Sequence, residues 1–246
     1  MIQNVGKLSP DVFDVAVALG KFKGWAMERK FGMNADIDAG TEDIWSYGGV
    51  RTLPTVAAAA SIVSTSTSDA PAGTGALTIT IEGLDANYLE ISETITMNGT
   101  TPVVSSQSFL RLNRAYVLTA GTNETNVGSI NAIIGGNVQA SIEAGEGQTH
   151  QALYTVPANK WFIVTYISLV VAKGGNLVQV LGQVKTFGGA WRTISDIYMP
   201  ETHYLNPHGV TPIPPKAEVR ARATVTGSNN QVTYIVGGYL VESIYL

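Results

Sequence analysis

The sequence predicts an all-β protein, and three observations carry the prediction. The 246 residues include 26 Gly and 10 Pro, enough to divide the chain into short segments joined by tight turns. Long stretches are rich in Thr, Val and Ile, residues that fit a pleated, half-buried surface better than a helix. In several of those stretches apolar residues alternate with period two, as in a strand with one dry face.

Residues 1–51 differ from the rest and read as an extended N-terminal arm for docking. Ser9-Pro10-Asp11 offers an N-cap and a proline at N1 for a short helix carrying Val12, Phe13, Val15, Val17 and Leu19. Gly20 ends it quickly, and the Val content suits a strand almost as well. From Lys21 to Val50 no period is sustained, yet large rings stand out at Phe22, Trp25, Phe31, Trp45 and Tyr47. Such rings need burial, either on the body of the same subunit or on a neighbour. The neighbour is the expectation, which makes these five the candidate protein-interface residues.

Residues 52–140 carry the cleanest strand signals and are expected to form an Ig-like β-sandwich. Leu77, Ile79 and Ile81 alternate with Thr78, Thr80 and Glu82; Gly83 to Asn87 turns the chain; Leu89, Ile91, Ile95 and Met97 repeat the alternation before Asn98-Gly99 turns it again. Glu93 falls on the apolar side of that second strand, so it either meets a partner such as Arg114 or marks where the strand leaves the core. Phe109 to Leu118 reads as a further strand with Leu110, Leu112, Tyr116 and Leu118 on one side. Arg111 and Arg114 are expected to solvate it, the alternative being ion pairs with a neighbour.

Residues 141–246 are expected to form a jelly-roll-like β-sandwich. Its strands are read at 151–156, 161–171, 178–186, 191–198, 218–226 and 232–242, with a long Pro-containing crossing between 199 and 216. Trp161 to Val171 is apolar on both faces and should be central. Glu218, Arg220, Arg222, Thr224 and Thr226 alternate with Val219, Ala221, Ala223 and Val225, which predicts one wet face.

Composition narrows the function. With no Cys, thiol and disulfide chemistry are excluded. A formal charge of −4 and no Lys/Arg run argue against direct nucleic-acid binding. No apolar run approaches the roughly 18–20 residues needed to cross a bilayer, so no membrane partner is expected. Only 14% of residues are charged against 45% hydrophobic, which suggests that neighbours cover part of the surface.

No motif carries catalysis or a cofactor. Asn34 to Gly40 has oxygens at alternating positions like a calcium loop, but its glycine is one place late and Trp45 stands where the bidentate Glu belongs, so a hydrogen-bonded turn is expected. His150, His203 and His208 lack zinc-ligand spacing and read as surface histidines. Ser195 and Asp196 are adjacent on a strand and point to opposite faces, so no relay forms there. Neither Gly73-Thr74-Gly75 nor Gly145-Glu146-Gly147 has the third glycine of a phosphate loop. The chain is therefore expected not to be an enzyme. A competing binding function would use Trp191, Tyr198 and Tyr204 as exposed platforms for sugars.

The stretch Ser64 to Ala76, continuing through Thr78–Tyr88 and Ile91–Ile95, resembles a module of virion structural proteins of tailed bacteriophages. The flanks Lys30–Asn34, Glu42–Trp45 and Ser108–Tyr116 are similar to what surrounds that module, and Tyr154–Lys160 and Ile213–Arg220 resemble a β-domain of the same kind of protein. The resemblance implies a particle component, assembled in the bacterial host cytoplasm, that attaches to the capsid or the neck or collar as a stabilising or decoration protein. It leaves a tail-fibre base or a carbohydrate-binding receptor module as the alternative. The implied partners are copies of itself, with a homotrimer or higher ring preferred, and virion proteins such as the major capsid, portal, adaptor or tail proteins. It supplies no catalytic residue.

Overall fold

A computed structural model of the chain describes residues 10–38, 40–173, 177–199, 210–227 and 230–245. With 59% strand and, among the described residues, one short α-helix, the protein is all-β. The helix α1 (Pro10–Ala18) ends where the sequence places its stop. Gly20 sits at φ 68°, the left-handed region that only glycine enters without penalty. Its N–H donates to the Val17 carbonyl and the Lys21 N–H to Ala16, the two bonds of a Schellman cap. Ser9, the expected N-cap, lies outside the described residues.

After α1 come β1 (Trp25–Ile37) and β2 (Gly40–Asp43). Seven strands succeed them: β3 (Ala58–Ser64), β4 (Ala76–Leu84), β5 (Glu90–Thr96), β6 (Val103–Phe109), β7 (Arg111–Ala120), β8 (Ile130–Ile134) and β9 (Asn137–Ile142). The rest of the chain forms β10 (Leu153–Thr155), β11 (Lys160–Lys173), β12 (Val178–Lys185), β13 (Trp191–Met199), β14 (Thr211–Ile213), β15 (Glu218–Val225) and β16 (Asn230–Glu242). They assemble into four sheets, β6-β3-β8-β9, β5-β4-β7, β1-β16-β11-β14 and β10-β15-β12-β13, with β2 added beside β15.

Two hydrophobic cores result. The first lies within residues 58–142 and draws on both smaller sheets, with Ile62, Ile79, Ile81, Phe109, Leu112 and Ile130 almost completely buried. Its pairings stay within the same stretch of chain: β4 pairs antiparallel with both β5 and β7, β3 with β6 and β8. The second draws on the two remaining sheets and is built around Phe162, Leu169, Val180, Val232 and Tyr154. As its two-sided apolarity predicts, β11 is interior to its sheet, between β16 and β14.

Over the described residues 10–38 and 40–51, the expected extended arm is not what the structure contains. β1 runs antiparallel to β16 from Trp25↔Val241 to Asn34↔Val232, and β2 pairs with β15. Ile37 and Ile44 are fully buried in the second core. Burial alternates along Lys30, Phe31, Gly32, Met33 and Asn34, but the inward positions are Lys30, Gly32 and Asn34. A Cβ on Gly32 would lie 2.2 Å from the Ala152 nitrogen, so the backbone itself packs there. Asn34 turns its amide to the Glu42 carboxylate, and Lys30 pairs with Glu28 and lies over the Tyr154 ring. A strand whose dry face is made of such residues has no hydrophobic period to read.

The side-chain order expected for β7 also changes. Gly83 pairs with Leu112 and Glu82 with Arg114, leaving Asn113 as the extra residue of a bulge. The bulge switches the inward positions from Leu112 to Ala115 and Val117, so Tyr116 and Leu118 turn outward instead of sharing the face of Leu112. Glu93 has found backbone rather than Arg114: its carboxylate accepts the N–H groups of Ser106 (2.8 Å) and Gln107 (2.9 Å) on β6. Burial raises its pKa, but these bonds outweigh that and hold the carboxyl below its ordinary range.

Candidate functional site: a polar joint between two cores

The two cores meet through charge. Glu218 is 4% exposed although the alternation of β15 assigns it to a wet face. That face turns toward β7 and the connector after β2. Arg111, expected in solvent, is 6% exposed and places its Nε 2.8 Å from Glu218. The other Glu218 oxygen accepts from Thr155 Oγ1, while Arg111 also donates to the carbonyls of Leu110 and Pro54. Arg114 does behave as expected, lying exposed over the Tyr116 ring and donating to Gln148.

A second set of groups extends the seam. Arg51 donates through Nη1 to the carbonyls of Leu112 and Gln139, which lie on strands of the first core. Its own N–H donates to Asp43, whose other oxygen pairs with Arg222 at 3.2 Å. Burial raises the Asp43 pKa, against the Arg51 backbone bond and the charges of Arg222, Arg220 and Arg51. Burial also brings Arg51 down to about 10, helped by repulsion from Arg111 and opposed by Glu218 and Asp43.

Asn113 supplies the backbone link. Pushed out of the β7 ladder by the bulge, its side chain donates to the Thr155 carbonyl (2.9 Å) and accepts the Thr155 N–H (3.0 Å). One amide thus satisfies both backbone groups of a residue in the other core, as a strand neighbour would. Gln151 donates to the Leu112 carbonyl nearby. Breaking one partner of such a buried set strands the other, at a cost of roughly 3–5 kcal/mol for an ion pair. The joint therefore fixes how one core sits on the other.

An aromatic latch closes the seam beside it. Phe187, at the β12–β13 turn, meets Tyr88 of the β4–β5 turn edge to face at 5.6 Å, and Lys216 lies over both rings. Tyr88 and Lys216 both adopt positive φ, 65° and 61°, a conformation that costs non-glycine residues about 1 kcal/mol or more. The segments that carry the resemblance meet here: Asp43, Tyr88, Arg111, Asn113, Thr155, Lys216 and Glu218 all belong to them.

The five aromatic interface candidates are placed mostly against their own chain. Phe22 and Trp25 pack on Phe13 of α1, at 4.9 and 5.6 Å, and Trp25 also meets Tyr239. Phe31 stacks edge-on to His150 at 4.8 Å. Trp45 is 2% exposed and donates to the Gly49 carbonyl, so burial within the subunit removes it as a docking contact. Tyr47 alone stays open, at 51%. Of the sugar-platform candidates, Trp191 is half-buried under the Arg220 guanidinium at 3.9 Å, Tyr198 is 60% exposed, and Tyr204 lies outside the described residues.

The Asn34–Gly40 segment is not the expected turn: Asn34 to Ile37 end β1 through a register shift opposite β16 and Gly40 opens β2, with the Asp36 N–H donating to Asn34 and the Asp38 N–H to Glu42, while Ala39 lies outside the described residues. Among the described residues no three carboxylate, His or Cys side chains gather as metal ligands, and no helix is long and apolar enough to cross a membrane. His150 is buried rather than on the surface; His203 and His208 fall outside the described residues.

No family model and no curated protein matches the chain. Among solved structures it is weakly similar to the VP2 subviral particle of infectious bursal disease virus, at 9% identity over 96% of this chain and 78% of that one, with a TM-score of 0.22. T=1 particles derived from the same virus match over 90% and 70%, with 9% identity and a TM-score of 0.22. Similarity at that level carries no functional inference.

Proposed function

We propose that the chain is a structural, non-catalytic component of a tailed-phage virion, attached to the capsid or the neck or collar as an oligomeric stabilising or decoration subunit. The resemblance of its sequence segments suggests the particle. The observation that carries the docking role is α1. On its inner side Val17 is buried and Phe13 packs on Trp25 and Tyr239, yet Val12 and Val15 on the outer stripe, and Leu19 just past the helix end, are 48, 57 and 67% exposed. An apolar stripe in solvent, beside the one already buried, is more than a surface helix of its own subunit needs, so the outer stripe calls for a neighbour. The two cores, which we read as two β-sandwich units with β1 and β2 completing the second, would then act as a spacer held at one angle by the joint.

That placement dictates the test. Deleting the first fifty residues would remove β1 and β2 from their own sheets, so the informative variant changes only the stripe. Val15→Glu with Leu19→Glu should leave the far-UV spectrum and unfolding transition intact while abolishing incorporation into particles and lowering the mass of the free oligomer. A variant that still joins particles would overturn the docking role of α1. The second reading, a sugar-binding receptor module, is favoured only by Tyr198: its register partner Gln179 puts it on the same face as Trp191, which pairs with Lys185. A glycan array probed with the wild type and Tyr198→Ala decides it.

A further inference from the structure

We infer that the cleft beside the joint, lined by Arg51, Lys185 and Arg220, binds a small oxyanion, the carboxylate or phosphate group of a small ligand. The cleft holds about 200 Å³ and has Trp191 on its wall, with Asp43 and Glu218 at its base. That is room for one such group and part of the ring or chain bearing it.

The charges around it do not balance. Asp43 and Glu218 are the two carboxylates, and each is already engaged, by Arg222 and by Arg111. Three further cations, Arg51, Lys185 and Arg220, line the cleft. Five cations against two carboxylates leave +3 in one place, on a chain whose formal charge is −4. Among the described residues neither Lys185 nor Arg220 pairs with a carboxylate: Arg220 donates to Gln183 and stacks on Trp191, and Lys185 lies 5.5 Å from the same ring.

A second observation is independent of that count. Arg51 is 8% exposed, and its Nε has no hydrogen-bond partner. A guanidinium brought to that depth with a donor unmet is costly, and an anion in the adjoining cleft would offset its charge. Repulsion among the arginines also works against their protonated forms, lowering Arg220 after burial through Arg222. An anion in the cleft would relieve that repulsion, and guanidinium groups suit oxyanions because their N–H fork matches two oxygens at once.

The test uses the whole protein with three probes, inorganic phosphate, glucuronate and glucose, each against sodium chloride of equal ionic strength. Thermal unfolding and Trp191-sensitive fluorescence are the readouts. Phosphate or glucuronate at saturating concentration should raise the midpoint by about 3 °C or more above the chloride control, as binding to the folded state alone requires. Lys185→Gln and Arg220→Gln, both at the rim, should each reduce that rise and together abolish it. A rise with phosphate equal to that with glucuronate assigns a free oxyanion; a larger rise and fluorescence change with glucuronate assigns an acidic sugar. The inference fails if neither anion exceeds chloride, if glucose matches glucuronate, or if the double variant keeps the full response.

Discussion

The core within residues 58–142 and the core that joins Ile37 and Ile44 to residues 152–240 are both made of antiparallel sheets, yet they close in different ways. The first is completed by strands of its own stretch: β4 by β5 and β7, β3 by β6 and β8, β8 by β9. The second must wait for β1 and β2, which reach β16 and β15 from the far end of the chain, roughly 180 to 220 positions away by their register pairs. The first core is self-sufficient, and the second depends on the N-terminus. Because β16 lies between β1 and β11, losing β1 would expose a long unpaired edge as well as the side chains under Ile37 and Ile44.

The harshest way to break that asymmetry is to remove residues 1–50. Hydrogen exchange should show β11, β15 and β16 losing their protection while β3, β4 and β8 keep theirs. Equal loss in both groups would mean that the cores fold as one body and that the contrast is only topological.

A smaller cut severs the cores from one another. Glu218→Gln leaves Arg111 buried without its counter-charge and should cost roughly 3–5 kcal/mol in denaturant unfolding. Replacing both, Arg111→Met with Glu218→Met, should recover much of that loss, because an apolar pair strands no charge. Asn113→Ala removes two hydrogen bonds to the Thr155 backbone and should cost about 2 kcal/mol. If these variants lower the stability of both cores together, the joint couples them; if two transitions separate, it only aligns them.

Legibility in the sequence divides along the same line. Period-two alternation marks β4, β5, β12, β15 and β16 to within a residue or two, because one face of each meets a core. β1 is invisible because its inward residues are Lys30, Gly32 and Asn34, which serve close approach and hydrogen bonding rather than apolar packing. The joint misleads for a related reason. An alternation of Glu and Arg looks the same whether it faces water or another charged surface, so Glu218, Arg222 and Arg111 read as solvated. Asp69 shows the limit again: in a Ser/Thr/Pro/Gly run that signals only a turn, it is fully buried and its carboxylate gathers Ser64 Oγ and the N–H groups of Ala76, Val127 and Gly128.

The gentlest probe of the contrast is acid. His150 lies in the segment that leads from the first core into the second, its ring against Phe31 and its Nδ1 without a partner. Burial lowers its pKa, and Glu146, 3.5 Å away, together with Glu143 pulls it back only in part. A folded-state pKa below the unfolded one means that the unfolded chain takes up the proton first. Stability from the neutral ring is then fully present above pH about 6.5 and is lost as the pH falls through that value toward the folded pKa. His150→Gln should flatten the fall in urea midpoint over this range, and hydrogen exchange should place the acid-sensitive opening at residues 147–151 and β1 rather than within β3 or β4. An unchanged pH slope in the variant would assign the titration to other groups and leave the passage between the cores insensitive to protons.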